Sequence, residues 1–239
     1  MAHDVQSILP QIQAAMKRYD MIQPGDRVCV GVSGGKDSLV LLCALARIRQ
    51  FYDVPFSLCA VTLDPCFSGE ADYSAVEELC QSLDVPYTVR RTRLWEVINE
   101  QGQADHPCSL CAKMRRGALH KAAKELGCNV VALGHHKDDA AETFFMNLTA
   151  GATLGCFSPK TYLDRSDLTL VRPLLFLSEA EIAAVAAHEQ IPVVKSACPV
   201  DGNTNRAAAK KALADLSATY GNMGDKIEQA LQKAEMGGW

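Results

Sequence analysis

The sequence predicts an α/β protein, a parallel sheet with helices on both faces. Short apolar runs alternate with stretches of helical periodicity along most of the chain. Some runs, residues 129–133 among them, are apolar apart from a single polar residue (here Asn129 at the start), as strands covered on both sides tend to be. Gly34 and Gly35 fall where the first strand hands over to a helix, at the edge where such sheets bind ligands.

The elements follow in order. Residues 27–32 form an apolar run, and residues 37–49 a helix, because Leu39, Leu42, Leu45 and Ile48 recur at its spacing. Residues 56–63 read as a strand, 71–83 as a helix and 87–91 as a short strand. A long helix spans 108–126 and stops at Gly127. After the strand at 129–133, the second half of "GHHKDDAAETFFMNL" is helical. Residues 151–165, with their Gly, Ser and Pro, read as a loop. A strand at 168–172, a helix at 179–190 and a short strand at 192–195 come next, and the last forty residues look helical and polar. Residues 1–25 are thus expected as an N-terminal helical segment, 26–177 as the main domain and 178–239 as a helical extension carrying Cys198. There are no repeats or low-complexity tracts.

Composition narrows the function classes. No apolar run is long enough to cross a membrane, and the first twenty residues carry acids where a signal peptide needs an apolar centre. A cytoplasmic protein is expected. Ten cysteines then point to metal binding or thiol chemistry rather than disulfides. A net charge of −4 gives no global attraction for nucleic acid, so an RNA partner would need a local basic patch. Three clusters offer one: Arg90, Arg91 and Arg93; Lys113, Arg115 and Arg116; Arg206, Lys210 and Lys211.

The stretch "VCVGVSGGKDSLVLL" reads as a phosphate-binding loop. Without side chains, Gly34 and Gly35 let backbone N–H groups approach a phosphate, and the helix N-terminus adds a favourable dipole. The commonest phosphate loop needs glycine at position 30 and a hydroxyl at 37; Val30 and Asp37 stand there instead. Asp37 is a candidate cap or Mg²⁺ ligand, and Ser38 a cap or phosphate contact. The run Ser33-Gly-Gly-Lys-Asp-Ser38 resembles the PP-loop ATP pyrophosphatases. That resemblance implies ATP as cofactor, attack of a substrate oxygen on the α-phosphate, and a departing pyrophosphate cradled by Ser33, Gly34, Gly35, Lys36, Asp37 and Ser38.

"HPCSLCAKMRRGAL" sets Cys108 and Cys111 one turn apart at a helix start, where two thiolates can grip one metal or cluster. The best third ligand by position is Cys198. Cys29, Cys43, Cys59 and Cys128 lie in apolar contexts that suit core packing; Cys66, Cys80 and Cys156 are undecided. Together with "ALGHHKDDAAET" and the glycine loop, this segment resembles the tRNA 2-thiocytidine synthetase family over residues 28–198. The resemblance implies a [4Fe-4S] cluster on Cys108, Cys111 and Cys198, with one iron left open for sulfide. It implies a tRNA anticodon-loop cytidine as substrate, and a sulfur donor, either sulfide or a cysteine desulfurase. The family usually has a second Cys-x-x-Cys around the distal cysteine, whereas Cys198 stands alone.

Other residues complete the candidate site. Gly134 would let ATP approach the backbone. Asp138 suits an N-cap, while the resemblance gives Asp139 a place near nucleotide and substrate, for Mg²⁺ or substrate orientation. Arg115, one turn after Cys111, would stabilise α-phosphate charge alongside Lys36, and Arg116 would point elsewhere. His135 and His136 are candidate acid–base groups. Asp64 would meet ribose or adenine, or simply make a turn. Three rival readings stay open: a cysteine persulfide or disulfide mechanism, an adenylating ligase for a small molecule, and a metal-binding module without catalysis. A homodimer is compatible with the sequence.

Overall fold

The computed structural model describes residues 4–67, 69, 71–92, 96, 107–194, 198 and 205–239, with the side chains of 107–109 outside that set. Six strands form one sheet: β1 (Arg27–Gly31), β2 (Ser57–Asp64), β3 (Tyr87–Arg91), β4 (Val130–Ala132), β5 (Lys160–Leu163) and β6 (Leu168–Val171). Their spatial order is β3-β2-β1-β4-β6-β5, and every pair is parallel except β5 with β6. The chain steps outward from β1 to β2 and β3, then returns to lay β4 on the other side of β1. That reversal parts the connections leaving the carboxyl ends of β1 and β4 and opens a crevice between them.

The helices are α1 (Val5–Arg18), α2 (Lys36–Ile48), α3 (Ser74–Ser82), α4 (Pro107–Glu125), α5 (Lys137–Gly151), α6 (Glu179–His188), α7 (Asn205–Tyr220) and α8 (Met223–Lys233). Alternation along each strand sends side chains to two separate cores. Val28, Val30, Leu58 and Ala60 face one, while Cys29, Val61 and Leu63 face the other, where Leu119, Ala122 and Ala123 of α4 cover them. Helix α2 is buried from Ser38 to Ile48 almost all round, since the sheet lies under it and α1 and α6 pack on its outer side. Val5 and Ile12 of the N-terminal helix, Leu213 and Leu231 of the C-terminal helices, and Trp239 all join the same cluster as Leu42 and Leu175.

Three of the four cysteines expected in the core meet there. Cys29 and Cys59 are register partners on β1 and β2, and Cys59 Sγ lies 3.4 Å from Cys128 Sγ beneath α4.

Two expectations need correction. The 151–165 loop contains β5, which forms a hairpin with β6 around residues 164–167, where Asp167 takes the left-handed conformation (φ 47°). An edge strand bearing Lys160, Thr161 and Tyr162 has no apolar run to announce it. Conversely, residues 192–194 form no strand, and Lys195 lies outside the described residues. The Val194 N–H instead donates to the Gly34 carbonyl at 2.9 Å, so this segment backs the glycine loop rather than the sheet.

Candidate active site

The loop after β1 braces itself. Gly34 takes a left-handed conformation (φ 85°), and a Cβ there would lie 3.0 Å from Val194 Cβ. The buried Ser38 hydroxyl accepts from the Ser33 N–H at 3.1 Å and donates to the Gly35 carbonyl at 2.9 Å; Ser33 Oγ in turn accepts from the Gly35 N–H at 3.3 Å. Ser38 therefore shapes the loop. Gly35 is the N-cap of α2 without a side-chain cap, so the first-turn N–H groups face outward as donors for an anion.

Lys36 Nζ lies 3.1 Å from Asp37 Oδ1 and 3.1 Å from Glu179 Oε1. Burial alone would lower its pKa, but the hydrogen bonds it donates to the two carboxylates, and their charge, outweigh that and hold it above its ordinary value. Asp37 Oδ1 is buried and accepts no hydrogen bond despite that ion contact. A buried carboxylate oxygen at a helix N-terminus, with an ammonium beside it but no hydrogen bond accepted, suits Mg²⁺ bound with phosphates. Gly134 has a packing reason to be glycine: a Cβ there would lie 3.0 Å from the carbonyl carbon of Asp37 and the nitrogen of Ser38. The end of β4 thus rests backbone to backbone on the first turn of α2.

Helix α5 opens with a capping box. The His136 N–H donates to Asp139 Oδ2 at 3.0 Å, and the Asp139 N–H donates to His136 Nδ1 at 3.4 Å. Asp138 does not cap its own helix. Its Oδ2 accepts from the Glu179 N–H at 2.6 Å, so it caps α6 instead. Asp139 Oδ1 takes Arg206 Nη1 at 2.6 Å, and the same guanidinium lies 3.5 Å from Glu142 Oε2. Burial pushes the Glu142 carboxyl up to about 7, with Arg206 pulling the other way. His135 is pushed down to about 4 by burial and then by the Arg172 cation. It is neutral at physiological pH, so it brings no imidazolium to an acid role.

A cleft of about 320 Å³ opens along the carboxyl ends of β1, β2 and β4 and is roofed by α4. Ser33 of the glycine loop and His135 lie on one side, and Arg115, Arg116 and His120 on the other. Arg116 therefore shares the cleft with Arg115, contrary to expectation, because a wide helix face lies over the sheet edge. Cys111 is half-buried one residue before Ala112, which also lines the cleft. The Cys108 side chain lies outside the described residues, as do Arg93, Pro199 and Asp201. Cys198 is half-buried. Among the described side chains no three His, Cys, Asp or Glu form a metal site. The trio Cys108, Cys111 and Cys198 fits an iron–sulfur cluster by donor chemistry: three thiols, two of them one helical turn apart where α4 begins.

The remaining expectations resolve locally. Asp64 is buried and accepts from the N–H groups of Cys66 (2.9 Å) and Ala71 (3.0 Å), which is a turn role. Cys80 is buried, and the Cys156 thiol donates to the Ala140 carbonyl at 3.5 Å. Arg90 pairs with Glu125 at 3.2 Å. Arg206 and Lys210, offered by the sequence as part of one candidate basic patch, stay exposed but pair with acids of the site: Arg206 with Asp139, and Lys210 Nζ with Glu179 Oε2. Glu179 and Glu142 escaped the sequence reading altogether. The signal for Glu179 was its place as first residue of a helix whose Ser178–Glu181 capping box is plain in the sequence.

This loop, crevice and sheet order define a PP-loop nucleotide-binding enzyme, and the family described as "PP-loop domain" matches residues 4–216. The tRNA-cytidine(32) 2-sulfurtransferase of Pelobacter propionicus is 36% identical over 91% of this chain and 81% of its own length. That of Anaeromyxobacter dehalogenans is 36% identical over 86% of this chain and 71% of its own. The chain belongs to the PP-loop family and, within it, to the tRNA-cytidine(32) 2-sulfurtransferase family. In fold it is similar to the U34-tRNA thiolase NcsA of Methanococcus maripaludis, solved with its [4Fe-4S] cluster (TM-score 0.77, 24% identity, 95% of this chain and 78% of that one). Among the described residues no helix is long and apolar enough to cross a membrane.

Proposed function

We propose that this chain is an ATP-dependent tRNA thiolase that replaces the 2-oxygen of an anticodon-loop cytidine with sulfur. The observation that carries this reading is one shared cleft: Ser33, where the glycine loop begins, lies on one wall, and Arg115 and Arg116, on the helix that also carries Cys111, lie on another. Family membership supplies the substrate class. Sulfide, or a cysteine desulfurase, would supply the sulfur.

The chemistry follows from the residues in place. The cytidine 2-oxygen attacks the α-phosphorus of ATP, and pyrophosphate leaves. The outward N–H groups at the start of α2, together with Lys36, hold the departing pyrophosphate. Asp37 and Mg²⁺ offset its charge. Arg115 and Arg116 face the same space and stabilise charge building on the α-phosphate, and they can also meet the RNA backbone. A single-stranded loop lets the target base flip into the cleft, with the neutral His135 ring on its wall. Cys108, Cys111 and Cys198 would hold a [4Fe-4S] cluster, whose open iron supplies sulfide when the cluster is bound. Sulfur adds at carbon 2, and AMP leaves with the original oxygen. Asp139, fixed by His136 and Arg206, stands ready to orient the substrate or Mg²⁺.

The test is an anaerobic reaction with tRNA, ATP and sulfide. The reading expects 2-thiocytidine in the digested tRNA and one AMP and one pyrophosphate per thiolated base. ATP turnover that proceeds without tRNA and yields an adenylated small molecule would overturn it.

A further inference from the structure

Cys29, Cys59 and Cys128 lie outside the lining of the cleft, yet their side chains gather in one core beneath α4. Cys29 and Cys59 are neighbours across β1 and β2, and Cys59 Sγ lies 3.4 Å from Cys128 Sγ. Cys29 shares hydrogen bonds with both. Closing the 3.4 Å gap to a covalent bond takes a movement of roughly 1.4 Å, since S–S is about 2 Å.

A thiol that merely packs a core is inert. Cys43 and Cys80 are of that kind, because burial pushes them up to about 11 and about 12. Cys128 has different surroundings. Arg27 brackets it, with Nη2 donating to the Leu126 carbonyl at 3.1 Å and the backbone N–H donating to Asn129 Oδ1 at 2.9 Å. Hydrogen bonds from the Cys29 and Cys59 thiols, and then the Arg27 cation, pull Cys128 well below the ordinary thiol value against the effect of burial. One sulfur thus gains thiolate character with a second thiol beside it, the arrangement that oxidation to a disulfide requires. Cys59 is only half-buried, which leaves a small oxidant a way in.

We propose that Cys59 and Cys128 form a thiol–disulfide site that a peroxide closes. The Cys128 thiolate attacks one oxygen of hydrogen peroxide; the S–O bond forms, the O–O bond breaks, and hydroxide leaves. That hydroxide takes up the proton that Cys128 gave away. The Cys59 sulfur then attacks the sulfenic sulfur, the S–O bond breaks, and the second hydroxide leaves as water with the Cys59 proton. Two thiols and one peroxide become one disulfide and two waters. Cys59, Val61 and Leu63 share one face of β2, and the latter two line the cleft together with Ala112, Arg115 and Leu119 of α4. The bond therefore ties the end of α4 to the strand that floors the cleft. It does not rest on the thiolase reading, because the residues involved stand apart from the nucleotide loop and from Cys111.

The test uses the full chain, reduced and desalted, then treated with up to about five equivalents of hydrogen peroxide. Remaining thiols are alkylated in denaturant, and disulfides are mapped by digestion and mass spectrometry. A Cys59–Cys128 cross-link is expected in most molecules and is reversed by dithiothreitol. Because the bond closes a loop of 69 positions, the oxidised protein is expected to melt about 5–10 °C above the reduced one. Cys59→Ser is expected to lose both the cross-link and the rise. Absence of the cross-link in the wild type overturns the inference. So does a cross-link without the rise, since the bond then forms in an opened chain rather than in the folded site. A rise that persists in Cys59→Ser overturns it as well.

Discussion

Gly134 and Asp37 touch through their backbones: a Cβ on Gly134 would lie 3.0 Å from the Asp37 carbonyl carbon. The contact joins the end of β4 to the first turn of α2, and so sets the angle at which the phosphate-facing N–H groups leave the sheet. Backbone cannot give way as a flexible side chain can. Gly134→Ala should therefore displace the turn, costing about 1–3 kcal/mol of stability and weakening ATP binding. Paired denaturant titrations and ATP-binding isotherms check this; a variant with wild-type values in both would show that the contact yields freely.

Lys36 is the cation that the glycine loop presents beside Asp37. Lys36→Ala is expected to lower kcat/KM for ATP by about 10²- to 10³-fold, the scale for losing one charge-stabilising donor. Thermal stability should stay near wild type, because the side chain is partly exposed and its pairs are modest. Initial rates at varied ATP, alongside a melting curve, separate the two effects.

Glu142 gives a pH signature. Its folded-state pKa, about 7, lies above the ordinary carboxylate value because the group is buried. The folded state then holds its proton more tightly than the unfolded chain, so the stability from this group is complete below about pH 4.5 and is lost as pH rises to about 7. The span corresponds to at most about 3 kcal/mol. Glu142→Gln, which keeps the shape without the charge, should flatten the stability profile in that window and exceed the wild type at pH 8. Urea midpoints measured from pH 4.5 to 8 decide it; parallel profiles for both proteins would contradict the assignment.

Leu45 sits at the centre of a helix buried almost all round, and it is fully buried itself. Leu45→Ala should cost about 2–5 kcal/mol, since packed neighbours on both sides limit collapse into the cavity. The check is a urea denaturation midpoint.

Much of this site was legible because its chemistry is local. The glycine loop, the Cys-x-x-Cys helix start and β3 at Tyr87–Arg91 each depend on neighbours within a few residues. What escaped depends on partners far along the chain. Arg206 meets Asp139 across 67 positions and Lys210 meets Glu179 across 31, so their charges read as a solvated or RNA-facing patch until the fold brings the acids to them. Asp138 was rightly read as a capping residue but for the wrong helix, because its neighbour in space is the start of α6. The β5 edge strand carries Lys, Thr and Tyr and pairs on one side only, so no apolar run marked it. Val194 is apolar because it packs on Gly34 of the glycine loop, a need that a strand pattern imitates, while Val193 beside it is exposed.

The most direct measurement compares two half-reactions in one variant, Cys111→Ala, under anaerobic conditions. If phosphate activation belongs to the loop and sulfur delivery to the cysteines, this protein should still release pyrophosphate from ATP in a tRNA-dependent manner while forming no 2-thiocytidine. Thiolation at the wild-type level in Cys111→Ala would contradict the account at its centre.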